Sequence, residues 1–77
     1  MAKKIVLYST TGCPLCARYR SLLEEHKHAF EERNTTDNPT YLSELASKGI
    51  MVLPTVFVGD DAVTGFRPNT LLEKLAA

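Results

Sequence analysis

The sequence predicts an α/β domain in which a four-stranded mixed sheet is flanked by three helices, in the order β-α-β-α-β-β-α. Three observations predict it. Short β-rich apolar runs alternate with segments of helical period along the 77 residues, with no linker, repeat or low-complexity tract between them. The opening run Lys3-Lys4-Ile5-Val6-Leu7-Tyr8 leads into a helix-like segment and then a second strand, and such a unit requires a parallel strand pair with a right-handed crossover. Towards the far end, Gly59-Asp60-Asp61 separates two strand-like runs and reads as a hairpin turn, which adds an antiparallel pair.

The elements follow in order. Residues of about 4–9 form the first strand, a near-continuous apolar run of the kind buried on both faces. Ser9 to Gly12 is a polar, Gly-containing turn. A helix covers about 14–27, with Pro14 in its first turn, where a missing N–H costs nothing. Cys16, Tyr19, Leu22, Leu23 and His26 share one face of it, and Arg18, Arg20, Glu24, Glu25 and Lys27 mostly lie off that face. The second strand, about 29–34, has weaker propensity and takes Phe30 as its anchor. Asp37-Asn38-Pro39 starts a helix that runs to about Lys48 and stops at Gly49, with Leu42, Leu45 and Ala46 turned inward. After Pro54, residues 55–58 form a third strand and 62–64 a fourth. Pro68 opens a last helix with Leu71, Leu72 and Leu75 facing inward.

Composition narrows the function. Nine Lys and Arg balance nine Asp and Glu, so the chain lacks the basic excess of a generic nucleic-acid binder. At 44% hydrophobic the chain is ordinary for a globular domain, and a core this small must be well packed. No apolar run approaches the roughly 20 residues that span a bilayer. Lys3 and Lys4 precede an apolar run too short for a signal peptide, so the expectation is a single domain over residues 1–77 in the cytoplasm.

The chemistry is expected at Cys13-Pro14-Leu15-Cys16, which holds both cysteines of the chain and lies at a strand-to-helix turn. In a reducing compartment such a pair is more often catalytic than structural. The first turn of a helix offers unpaired N–H groups and the positive end of a dipole, and both favour a thiolate at Cys13. Cys13 is then the exposed nucleophile that forms a mixed disulfide with a substrate. Cys16, deeper on the same face, resolves it and leaves a Cys13–Cys16 disulfide. Leu15 sits exposed between them as an apolar contact for a partner.

Two plainer readings compete. A bridge closing so short a loop stabilises by about 2 kcal/mol at most. A structural zinc site needs four ligands, and His26 and His28, the other soft candidates, lie on the order of 15–20 Å along the helix. That pair also suits the negative pole of a helix end. Arg18 and Arg20 either favour the Cys13 thiolate and steer anionic partners or form a solvated face. Tyr8 and Tyr19 either border the dithiol or pack in the core.

Cys-Pro-x-Cys after the first strand, Leu53-Pro54-Thr55-Val56 opening the third, and Gly65-Phe66-Arg67-Pro68 after the hairpin together resemble the glutaredoxin-like branch of the thioredoxin fold, and within it the NrdH-redoxins. The resemblance covers essentially the whole chain. It implies a dithiol-disulfide oxidoreductase with no tightly bound cofactor, acting as a monomer. Electrons would come from NADPH through thioredoxin reductase, or from glutathione, and ribonucleotide reductase is the leading acceptor among disulfide-containing proteins.

The resemblance also makes Pro54 the family's cis-proline. The backbone of Leu53 before it would then pair with an extended substrate, Thr55 would follow it in the substrate-binding segment, and Gly65, Phe66 and Arg67 would shape the adjoining loop. That loop also suits a plain start to the last helix, with Phe66 as a core plug. Glutathione-using relatives carry a Lys where this chain has Thr10, and a Gly-Gly-x-x-Asp loop where it has Gly65 to Asn69. Both differences imply weak glutathione binding, which Arg67 would partly restore. Pro14 is the more glutaredoxin-like feature, and Asn69 stands where NrdH-redoxins often carry Asp. An iron–sulfur carrier using Cys13 and glutathione across a dimer is the binding-module alternative.

Overall fold

A buried strand sets the architecture. In the computed structural model, which describes residues 4–76, all five residues of β1 (Ile5–Ser9) are buried. Side chains alternate across a strand, so Ile5 and Leu7 enter one core and Val6 and Tyr8 another on the opposite face. β1 pairs in parallel with β2 (Glu31–Asn34) and antiparallel with β3 (Thr55–Val58), which pairs antiparallel with β4 (Asp61–Thr64). The sheet order is β2-β1-β3-β4. Three helices complete the fold: α1 (Pro14–Glu25), α2 (Thr40–Ser47) and α3 (Pro68–Ala76). This is the predicted element order, and it is the thioredoxin fold in its glutaredoxin-like form.

The two cores differ in size. Tyr19 and Leu23 of α1 and Leu71 of α3 pack with Leu7, Val56, Val58 and Val63 on one face. The other face holds Val6, Tyr8 and Leu45, with Tyr41, Ile50, Leu53 and Phe57 around them. Covering both faces is why β1 reads as a continuous apolar run rather than an alternating one.

Several boundaries and faces depart from expectation. α1 ends at Glu25, and Lys27 takes a left-handed φ of 58° in the turn that follows. His26 is therefore outside the helix and exposed, not on its inward face. α2 is shorter than predicted, and the Asn38 side chain accepts the Thr40 N–H at 3.1 Å near its start. Leu45 is its buried residue; Leu42 and Ala46 are exposed, because a helix of barely two turns can turn only a narrow stripe to the sheet. β4 begins at Asp61, which pairs with Val58. The expectation that Met1–Lys3 lead into a strand rather than form a leader lies outside the described residues.

β2 begins at Glu31, and Phe30 packs against the larger core just before it. The strand itself, Glu-Glu-Arg-Asn, is held by charge. Glu32 receives a two-pronged bond from Arg20 of α1, at 2.7 and 2.6 Å, and a 2.8 Å bond from Ser9 of β1. Arg33 bonds Glu31, the Tyr8 hydroxyl and Glu44 of α2, and lies over the Tyr8 and Tyr41 rings. Ion pairs thus tie an edge strand of low apolar content to both helical layers.

The Arg20 guanidinium holds the Glu32 carboxyl below its ordinary value; partial burial opposes this and the Ser9 hydroxyl assists it. A carboxyl depressed on folding stabilises the fold above its ordinary value, and that contribution is lost as pH falls through the depressed one. Glu32→Gln should therefore cost about 1 kcal/mol at pH 7, a modest sum because Arg20 is partly exposed. Urea unfolding across a pH series should show the gap between wild type and variant narrowing as pH drops below 4.5, the ordinary value for this group.

Candidate active site

Cys13 is the N-cap of α1. Its backbone is extended (φ −103°, ψ 106°), Pro14 follows as the first helical residue, and the Cys16 N–H donates to Cys13 Sγ at 3.1 Å. A cap side chain normally satisfies one of the orphan amides of the first turn. Here a sulfur does so, and an N–H aimed at sulfur stabilises negative charge there. Cys13 and Cys16 are joined as a disulfide with Cα atoms 5.3 Å apart. Cys13 is half-buried and Cys16 is 1% exposed, so an incoming group meets the outer sulfur first. Pro14 is exposed, and Leu15 presents an apolar side chain 40% exposed between the cysteines.

Strand register brings the other predicted residues to this end of the sheet. Tyr8, near the carboxyl end of β1, pairs with Thr55 at the start of β3, and Thr55 pairs with Thr64 at the end of β4. Leu53-Pro54 and Gly65-Phe66-Arg67 therefore lie at the end of the sheet where β1 leads into the turn that carries Cys13. The Leu53–Pro54 peptide is cis. Pro54 is buried, and its carbonyl accepts the Gly65 N–H at 2.8 Å. Leu53 is half-buried, and its N–H and C=O have no hydrogen-bond partner among the described residues. Thr55 is fully buried, and its hydroxyl donates to the Val52 carbonyl at 2.6 Å, so this side chain closes the loop from inside. Phe66 is half-buried against the core while Arg67 is exposed.

Three features escaped sequence reasoning. The Tyr19 hydroxyl donates to the Gly65 carbonyl at 2.6 Å and accepts the Arg67 N–H at 2.6 Å, so a side chain expected in the core also holds the loop. Thr35 is buried, with its N–H and hydroxyl both on the Ser9 carbonyl at 2.8 and 2.9 Å. The Thr36 hydroxyl meets Thr10 at 2.7 Å and the Thr11 N–H at 3.1 Å. Thr35 and Thr36 lace the cysteine turn to the β2–α2 turn. Their signal was the run of Ser and Thr in one segment and of Thr and Asn in the other, residue types that favour side-chain-to-backbone bonds.

The charged residues separate. Arg20 is engaged by Glu32 yet lines a shallow cleft of about 530 Å³ with Cys13, Thr10 and Asn34. Arg18 is exposed and lines a groove with Phe66 and Pro68. Tyr8 is buried among Tyr41 and Phe57 beneath α2. Among the described residues no cluster of three or more His, Cys, Asp or Glu side chains is placed to hold a metal. Nor is any described helix long and apolar enough to cross a membrane.

Comparison with known families places residues 5–63 on the glutaredoxin model. The chain belongs to the glutaredoxin family. It is similar to the glutaredoxin-like protein NrdH of Lactococcus lactis, with 31% identity over 87% of this chain and 93% of the relative. It is also 34% identical to a glutaredoxin of Pseudomonas aeruginosa over 91% of this chain and 84% of that protein. Among solved structures, the NrdH-redoxin of Escherichia coli superposes with a TM-score of 0.83 at 28% identity, covering 91% of this chain and 92% of the other. With its paired cysteines at a helix cap, this glutaredoxin-family chain is a dithiol-disulfide oxidoreductase.

The unequal exposure of the two sulfurs yields a direct test. Incubated with a protein disulfide, reduced Cys16→Ser should accumulate a covalent adduct through Cys13, because nothing remains to resolve it. Cys13→Ser should form none. Intact-mass measurement of both variants checks this.

Proposed function

We propose that this redoxin carries electrons from thioredoxin reductase to protein disulfides in the cytoplasm, with ribonucleotide reductase as its leading acceptor. Cys13 thiolate attacks one substrate sulfur, and the other leaves as a thiolate. Cys16 then attacks Cys13 Sγ and expels the first sulfur. Two electrons have moved, the substrate is a dithiol, and the Cys13–Cys16 bond has reformed. The free N–H and C=O of Leu53 suit an extended substrate segment laid across the cis-Pro54 turn, held by main-chain bonds with little demand on sequence. Leu15, Met51 and Val52 are all exposed apolar side chains, Met51 by 84%, and favour a protein partner over a small polar one.

One observation carries the choice of reductant. The Gly65 C=O and Arg67 N–H, in the loop with which glutathione-using relatives grip the γ-glutamyl end, are already taken by Tyr19. Thr10 adds to this, since its hydroxyl is engaged with Thr36 and it offers no cation. A carboxylate-bearing tripeptide thus loses the charge-assisted bonds that are the strong ones.

The test is NADPH oxidation with a disulfide acceptor in two arms, one with thioredoxin reductase and one with glutathione and glutathione reductase. Turnover in the first arm alone is expected, and ribonucleotide reductase is then supplied as acceptor. Turnover in the glutathione arm alone would overturn the reading and make the protein a glutathione-dependent glutaredoxin.

A further inference from the structure

The Tyr19 phenol occupies an unusual place for a core residue. It lies one helical turn beyond Cys16 on α1 and is fully buried. Its oxygen is both donor and acceptor to one loop, and the two partners, Gly65 and Arg67, lie 46 and 48 residues away in the chain. Burial pushes the phenol above its ordinary value of 10, with the Arg67 N–H opposing, so the hydroxyl keeps the proton it donates. The Tyr19 and Phe66 rings pack with centroids 4.8 Å apart, so the loop is gripped by both contact and hydrogen bonds.

The loop in turn holds the cis-proline segment. Gly65 passes its N–H to the Pro54 carbonyl at 2.8 Å while its own carbonyl receives Tyr19. It does so at a φ of 73°, a conformation that glycine adopts without penalty. A Cβ there would meet Val52 at an ordinary 3.9 Å, so backbone shape rather than lack of space requires the glycine. An unbroken path therefore runs from the helix that carries Cys13 and Cys16, through the Tyr19 hydroxyl and Gly65, to the peptide beside Leu53.

We infer that Tyr19 is a positioning residue for protein disulfides: its hydroxyl fixes the distance and angle between the Cys13 sulfur and the Leu53–Pro54 backbone on which a substrate segment rests. The inference rests on the reading of Leu53–Pro54 as that rest. A disulfide that lies on this backbone is presented to Cys13 only if both are held in one frame. A small disulfide that touches Cys13 alone has no such requirement. Losing the hydroxyl leaves the Gly65 carbonyl and Arg67 N–H without a partner while sparing the sulfur chemistry.

The experiment compares pre-reduced wild type, Tyr19→Phe and Pro54→Ala in single-turnover reduction of insulin and of the small aromatic disulfide DTNB. Tyr19→Phe keeps the ring and removes the two bonds. Its second-order rate constant with insulin should fall about tenfold, the upper range for lost hydrogen bonds, while its DTNB rate stays at the wild-type value. An unchanged insulin rate, or an equal fall with both disulfides, would overturn the inference. If Pro54→Ala leaves the insulin rate unchanged, the substrate rest itself is refuted, and the two failures are told apart. Amide hydrogen exchange in the wild type needs no variant to fold: the Arg67 N–H should be protected, and exchange at the rate of an open loop would overturn the clamp.

Discussion

The amides in the first turn of α1 have no partners within the helix, and a cysteine sulfur at the cap receives one of them. Most of the molecule bears on keeping that arrangement in place. β1 is buried along its whole length and delivers the chain to the turn from the middle of the sheet. Pro14 is preset for the first helical position, and Tyr19 and Leu23 anchor the helix beneath it. The Ser9–Gly12 turn between strand and helix is bonded to Thr35 and Thr36. The two sulfurs consequently differ in access before any partner arrives, and that difference sets which of them an incoming group meets first.

Much of this was legible in the chain, and the reasons are physical. β1 and β3 are rich in branched apolar residues, and their burial on two faces wrote a continuous run. The Cys-Pro-x-Cys segment combines a helix-start residue with paired thiols, so position and chemistry pointed to one place. The hairpin was legible because Gly59, with a φ of 63°, sits where a turn needs a left-handed residue. α1 and α3 announced their inward stripes with Leu23 and Leu71.

What was obscured was held by polar contacts between distant segments. β2 has almost no apolar content, and its place depends on Arg20, Ser9, Tyr8 and Glu44, none of which neighbours it in sequence. The inward face of α2 is ambiguous in sequence because Leu42 and Leu45 are equally apolar, whereas a two-turn helix buries only Leu45. The second role of Tyr19 was hidden for a similar reason. A tyrosine on an apolar stripe signals core packing, and only the fold shows that its hydroxyl ends against Gly65 and Arg67. At the candidate site, the residues could be named from the chain, whereas the hydrogen bonds that connect Tyr19, Gly65 and Arg67 could not.

The fold makes the two sulfurs unequal, with Cys13 presented and Cys16 withheld. Brief treatment of the fully reduced wild-type protein with substoichiometric iodoacetamide at neutral pH, followed by peptide mapping, measures that inequality directly. Label confined to Cys13 is the predicted result. Label shared evenly between the two, or found mainly on Cys16, would contradict the account.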